Sequence, residues 1–192
     1  MIKICPHKFL SEYDESIWVD GSVDILDNMN DFISEYCEEK HKSVFIRKHP
    51  LRNCIYKEGL VCIKDKRDTV ENISKQLNRY RLENYPSNNG LVETNMIYRK
   101  HNNSYCIELM NIWANEVKNY SYRDQLSFNY ALKKCGNKGF KYLDFDIING
   151  KYFKWYRGHN RRINLTPDIV KIFNDKNKSK MVGSLKNEPI TL

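Results

Sequence analysis

Short runs of β-branched and aromatic residues alternate with longer runs of helical periodicity along most of this chain, and no other feature narrows its fold as much. Such a pattern specifies α/β layers, because each strand and each helix must bury its apolar side against the other kind of element. Ile17-Trp18-Val19 reads as a short buried strand that stops at the turn Asp20-Gly21. Met29, Phe32, Ile33, Tyr36 and Cys37 then recur at helical spacing behind Asn28, predicting a capped helix over 29–39. Val44-Phe45-Ile46 is a second strand with a helix after it. Asp68, with Glu71 three residues on, predicts a capping box, and Val70, Ile73, Leu77 and Tyr80 form the apolar stripe behind it.

The cluster Tyr85-Pro86-Ser87-Asn88-Asn89-Gly90 ends that helix in a loop. A third strand is expected over 94–98, and Ile107, Met110, Ala114 and Val117 mark another helix. Ser121, three residues ahead of Asp124, predicts a second capping box and a helix running to about residue 134. A short strand near 142–148 and the aromatic segment 152–156 follow, and disorder is expected from about residue 174. The expected organisation is one domain over 1–170 and a basic polar tail over 171–192.

A chain of 192 residues buries one sizeable core, so a single domain is the default. No run approaches the roughly 20 apolar residues of a membrane-spanning helix. The opening Met1-Ile2-Lys3-Ile4-Cys5-Pro6-His7 lacks the apolar centre of a signal peptide, which predicts a cytoplasmic location. The six cysteines include no C-x-x-C pair, so free thiols are expected in place of a zinc knuckle or a disulfide framework. A net charge of +8 calls for an anionic partner: nucleic acid, an anionic membrane surface, or nucleotide phosphates. No nucleic-acid motif is present, and the lysines are spread out, as on a solvated surface.

Asp20 is the first candidate for chemistry, because ligands of open α/β sheets gather at the carboxyl ends of strands. Magnesium or manganese is commonly held by one or two carboxylates together with the substrate's phosphates. The ordinary alternative is an aspartate that only caps the turn before Gly21.

Four blocks resemble the TOD/MUCI glycosyltransferase-like family. They are Ile17-Trp18-Val19-Asp20-Gly21-Ser22 with Lys3 and Pro6-His7-Lys8 upstream; the segment from His49-Pro50-Leu51-Arg52 to Glu58; Gly90-Leu91-Val92-Glu93-Thr94-Asn95; and Trp113 with Arg123-Asp124-Gln125-Leu126-Ser127-Phe128. The resemblance spans about residues 3–130. It implies a truncated GT-A-like, Rossmann-like mixed sheet flanked by helices, a nucleotide-sugar donor, a glycan or lipid-linked acceptor, and Mn2+ or Mg2+ as cofactor. Surface polysaccharide or glycan synthesis is the implied setting, with peripheral contact to an anionic membrane.

By the same resemblance Asp20 is similar to the first acid of an Asp-x-Asp metal motif, and the third position is Ser22, a departure from it. His159 resembles the histidine that completes the metal shell in many GT-A enzymes. Lys3, His49, Arg52, Glu58, Glu93 and Asn95 are placed by it around donor and acceptor, with Arg123 and Gln125 orienting. Asp124 has two readings at this point, a helix cap or the carboxylate that takes the acceptor's proton. His7, His41 and His101 read as polar surface residues, Trp18 and Trp113 as structural, and Trp155 as a ligand contact.

A GT-A fold opens with a nucleotide-binding βαβ unit, and this chain begins close to the Asp20 strand. That half is therefore expected to be largely missing, in a fragment, a chain with a late start codon, or a degenerate member. The alternative from another class is a non-catalytic basic module that binds nucleic acid or an acidic polymer. A weaker one is a metal-dependent hydrolase using Asp20 and Glu58.

Overall fold

A computed structural model describes residues 1–156. His159 and the domain boundary placed at residue 170 lie outside the described residues. The elements are β1 (Ser16–Val19), β2 (Val23–Ile25), α1 (Met29–Tyr36), β3 (Val44–Lys48), α2 (Ile55–Lys64) and α3 (Val70–Leu82), then β4 (Val92–Arg99), α4 (Ser104–Asn119), α5 (Gln125–Cys135), β5 (Phe140–Leu143) and β6 (Phe153–Trp155). The result is a mixed α/β fold with a four-stranded mixed sheet, in the order β1-β4-β3-β5. β4 is antiparallel to both β1 and β3, whereas β3 and β5 run parallel. β2 and β6 form a separate antiparallel pair.

Both faces of the sheet are covered, which is why β3 is buried almost continuously. Val44, Ile46 and Ile97 pack with Trp113, Phe128 and Leu109 on one side, under α4 and α5. Phe45, Met96 and Tyr98 pack with Phe32, Phe153 and Ile147 on the other. A third cluster joins α2, α3 and α5 through Ile55, Cys62, Ile73, Leu77, Tyr80 and Tyr130.

The alternation of strands and helices is as the sequence indicates, and five local expectations are corrected. The cap of α3 is Thr69, whose hydroxyl accepts from the Asn72 amide. Asp68 is instead the acceptor for Ser121 Oγ–H and the Tyr122 amide, tying the start of α3 to the approach to α5. Asp124 stands at the N-cap of α5 but makes no side-chain capping bond, so the predicted second capping box does not form. α1 ends at Tyr36, three residues short, and the strand expected over 142–148 begins earlier, at Phe140. His101 is fully buried, with Nδ1 3.0 Å from Ser16 Oγ and Nε2 2.9 Å from the Leu10 carbonyl.

Candidate active site

β4 positions the site because its pairing is uneven. Opposite β3, Ile46 faces Ile97 and the next residue, Arg47, faces Glu93. Thr94, Asn95 and Met96 are thus left without partners on that side, as at a β-bulge, a device that re-aims side chains. On the other side the Asp20 amide donates to the Asn95 carbonyl at 2.8 Å, so the end of β1 is pinned where β4 bulges.

Two polar groupings result. In the first, the ammonium of Lys3 lies 3.2 Å from Asp20 Oδ1 and 2.7 Å from Asp124 Oδ2, with Thr94 Oγ1 at 3.5 Å. Thr94 donates its hydroxyl to Asp124 Oδ1 at 2.9 Å, and the Trp18 indole donates to Asp20 Oδ1 at 2.7 Å. The Trp113 indole donates to the Asp124 carbonyl at 2.8 Å, fixing the backbone from which that carboxylate projects. The three charged side chains are between 18% and 36% exposed, so they are only partly screened by water yet remain accessible to a ligand.

Trp18 and Thr94 are site residues that the sequence did not reveal. An indole reads as core, and only the contact with Asp20 distinguishes this one. Thr94 had a weak signal, since it sits between Glu93 and Asn95 on a strand and must point to the opposite face.

The second grouping is more deeply buried. Arg47 pairs with Glu93 across the strands and donates through Nε to the Phe145 carbonyl at 2.9 Å. Arg52 pairs with Glu58, which is 1% exposed. His49 Nδ1 accepts from the Leu51 and Arg52 amides at 3.1 and 3.0 Å, and Nε2 lies 3.2 Å from Arg52 Nη2 and 3.9 Å from Glu58. Burial pushes the His49 pKa down, opposed by Glu58 and reinforced by Arg52. Burial pushes Glu93 up, against the Arg47 charge, and the nearby Glu58 adds to the rise. Burial and then Glu58 push the Cys62 thiol up, while Arg123 opposes them. His49, Arg52 and Glu58 are therefore not a polar surface of α2. Two precede that helix, and the third points inward from its first turn.

Asn95 Oδ1 and Arg123 Nε are buried near these groups and accept or donate no hydrogen bond among the described residues. Ser22 Oγ accepts from the Trp155 indole at 3.2 Å, so Trp155 serves Ser22 and the β2–β6 pair. Gln125 is half-buried at the start of α5. A cavity of about 680 Å³, lined by Lys42, Asn89, Lys133, Lys138 and Tyr142 among others, shares no residue with either grouping.

A family model described as TOD1/MUCI70, glycosyltransferase-like domain, matches residues 1–154. The chain belongs to that family. No curated protein and no solved structure matches it. Every residue of both groupings falls within the glycosyltransferase-like domain, including the carboxylates of Asp20 and Asp124, which the fold brings together from opposite ends of it. All six cysteines are free thiols. No helix among the described residues is long and apolar enough to cross a membrane.

The donor set around Lys3 fits a hard cation. Asp20, Asp124 and Thr94 present oxygen alone, the ligand type that Mg2+ and Mn2+ prefer, and they already surround a positive charge. Among the described residues no group of three or more His, Cys, Asp or Glu side chains is placed to hold a metal, so phosphate or water oxygens would complete the shell.

Proposed function

We propose that this domain transfers a glycosyl group from a nucleoside diphosphate sugar to an acceptor hydroxyl on a glycan or a lipid-linked saccharide. The observation that carries the reading is the meeting of Asp20 and Asp124 around the Lys3 ammonium, beside the bulged strand β4. Asp124 is the base. Its carboxylate is oriented by Thr94 through one oxygen and by Trp113 through the backbone, and it makes no helix-capping bond that would divert it. As the acceptor oxygen bonds to the anomeric carbon, the acceptor proton passes to Asp124 and the bonding pair of the breaking C–O bond leaves with the diphosphate. Asp20 is the residue that would hold Mn2+ or Mg2+ together with water and the donor's phosphate oxygens, and the ion would supply Lewis-acid neutralisation of the departing diphosphate.

The buried grouping selects the sugar. Arg52 and Arg123 offer directional donors and Glu93 an acceptor, while Glu58, almost fully buried, holds Arg52 in place. Their mutual pairing holds these groups rigid, which lowers the entropy cost of binding. A lysine-bearing surface suits acidic membrane headgroups near the acceptor.

Calorimetric titration of a nucleoside diphosphate in the presence of Mn2+ tests this reading. Wild type binds, and Asp20→Asn lowers affinity at least tenfold. Equal affinity of the two proteins removes Asp20 from the donor site.

A further inference from the structure

The seat between the two carboxylates is undercompensated as it stands. Asp20 and Asp124 bring two negative charges, and the ammonium of Lys3 returns one. A divalent cation in the same place would balance the pair. The two cations cannot share it, because like charges about 4 Å apart repel strongly in a partly buried site.

Exchange between them asks little of the fold. The backbone of Lys3 is anchored: its carbonyl accepts from Arg99, which is 1% exposed, and the Ile4 and Cys5 amides both donate to the Met1 carbonyl. Only the side chain holds the seat, on a flexible four-carbon stem. Its rotation away from the carboxylates disturbs no backbone hydrogen bond named above. Thr94 keeps its own bond to Asp124 whichever cation is present.

The geometry points to Lys3 as a tethered resident cation that competes with a divalent metal for Asp20, so that loading the metal expels the ammonium and leaves Asp124 free to act as the base. The inference rests on the donor-site reading above and adds a competitor, Lys3, to the metal seat. It also makes the seat self-protecting: with no metal present, the carboxylates stay paired and the fold is not left with two facing anions.

Titration of wild type, Lys3→Met, Lys3→Gln and Lys3→Arg with Mn2+ alone, followed by calorimetry and by the Mn2+ electron-spin resonance signal, tests this. Met and Gln keep the length of the stem and lose the charge, and either serves if the other fails to fold. Both are expected to tighten Mn2+ binding roughly 10- to 100-fold, the size of effect that one adjacent charge has on a charged partner. Lys3→Arg keeps the competitor, and its affinity stays within about threefold of wild type. Neutral variants that bind Mn2+ no more tightly than wild type overturn the competition. If Asp20→Asn still abolishes binding in that case, the donor site stands and only the role of Lys3 falls. Absence of Mn2+ binding in every variant overturns both the competition and the metal seat.

Discussion

Replacing Asp124 by Asn separates two roles that one carboxylate could combine. Asn is nearly the same shape, retains an oxygen for the Thr94 hydroxyl, and leaves the Trp113 bond to the backbone intact. What is lost is the charge facing the Lys3 ammonium at 2.7 Å. Exposed ion pairs contribute about 0–1 kcal/mol, and breaking a fully buried one costs about 3–5 kcal/mol. With both partners near 20% exposed and Asp20 still present to hold Lys3, the cost lies between, at about 1–2 kcal/mol. For a domain of this size that lowers the melting temperature by roughly 2–8 °C. No capping term is added, because Asp124 makes no capping bond. Loss of the base should lower turnover about 100- to 10,000-fold. The assay is release of nucleoside diphosphate from a panel of nucleotide-sugars with a saccharide acceptor, beside a thermal melt of the same preparation. A variant that melts several degrees lower but turns over at the wild-type rate would refute the argument, and the base would have to be sought at Glu93 or Glu58.

Glu58→Gln should lower stability by about 2–4 kcal/mol in urea denaturation, because it strands the Arg52 charge beside a group that is almost fully buried; a loss below about 1 kcal/mol would mean that the pair is solvated. The His49 ring, whose folded pKa is depressed by burial, makes stability depend on pH. Above the unfolded value near 6.5 both states are neutral and its contribution is complete; below it the unfolded chain takes up a proton that the folded ring resists, so stability falls as pH drops. His49→Asn, which keeps an acceptor for the Leu51 and Arg52 amides, should lose less stability than wild type between pH 7.5 and 5.5 in parallel denaturation curves; equal losses would assign the effect to other groups, His7 among them.

Much of the fold was legible because it rests on local pattern. The apolar stripe of α3, the Asn28 cap of α1 and the β-branched run of β3 each announce an element within about a dozen residues. Caps were less legible, since Asp68 and Thr69 are both good capping residues, and the choice went to Thr69 because Asp68 is engaged by Ser121 more than fifty residues away. His101 misled for a similar reason. A histidine between a strand and a helix reads as exposed, and its burial depends on Leu10 and Ser16 arriving to satisfy both ring nitrogens.

The sequence by itself determined the α/β class, the order of elements and the family, because hydrophobic period and the four residue blocks are properties of neighbouring positions. It also named Asp20 and Asp124 as separate candidates. Only the tertiary structure decided that both lie against the Lys3 ammonium and that Trp18 and Thr94 orient the pair. Those contacts depend on the bulge of β4 between Glu93 and Ile97, which arises from pairing with β1 on one side and β3 on the other. Strand pairing joins positions many residues apart, and the local periodicity of one chain carries no record of which partner a strand will meet or in what register.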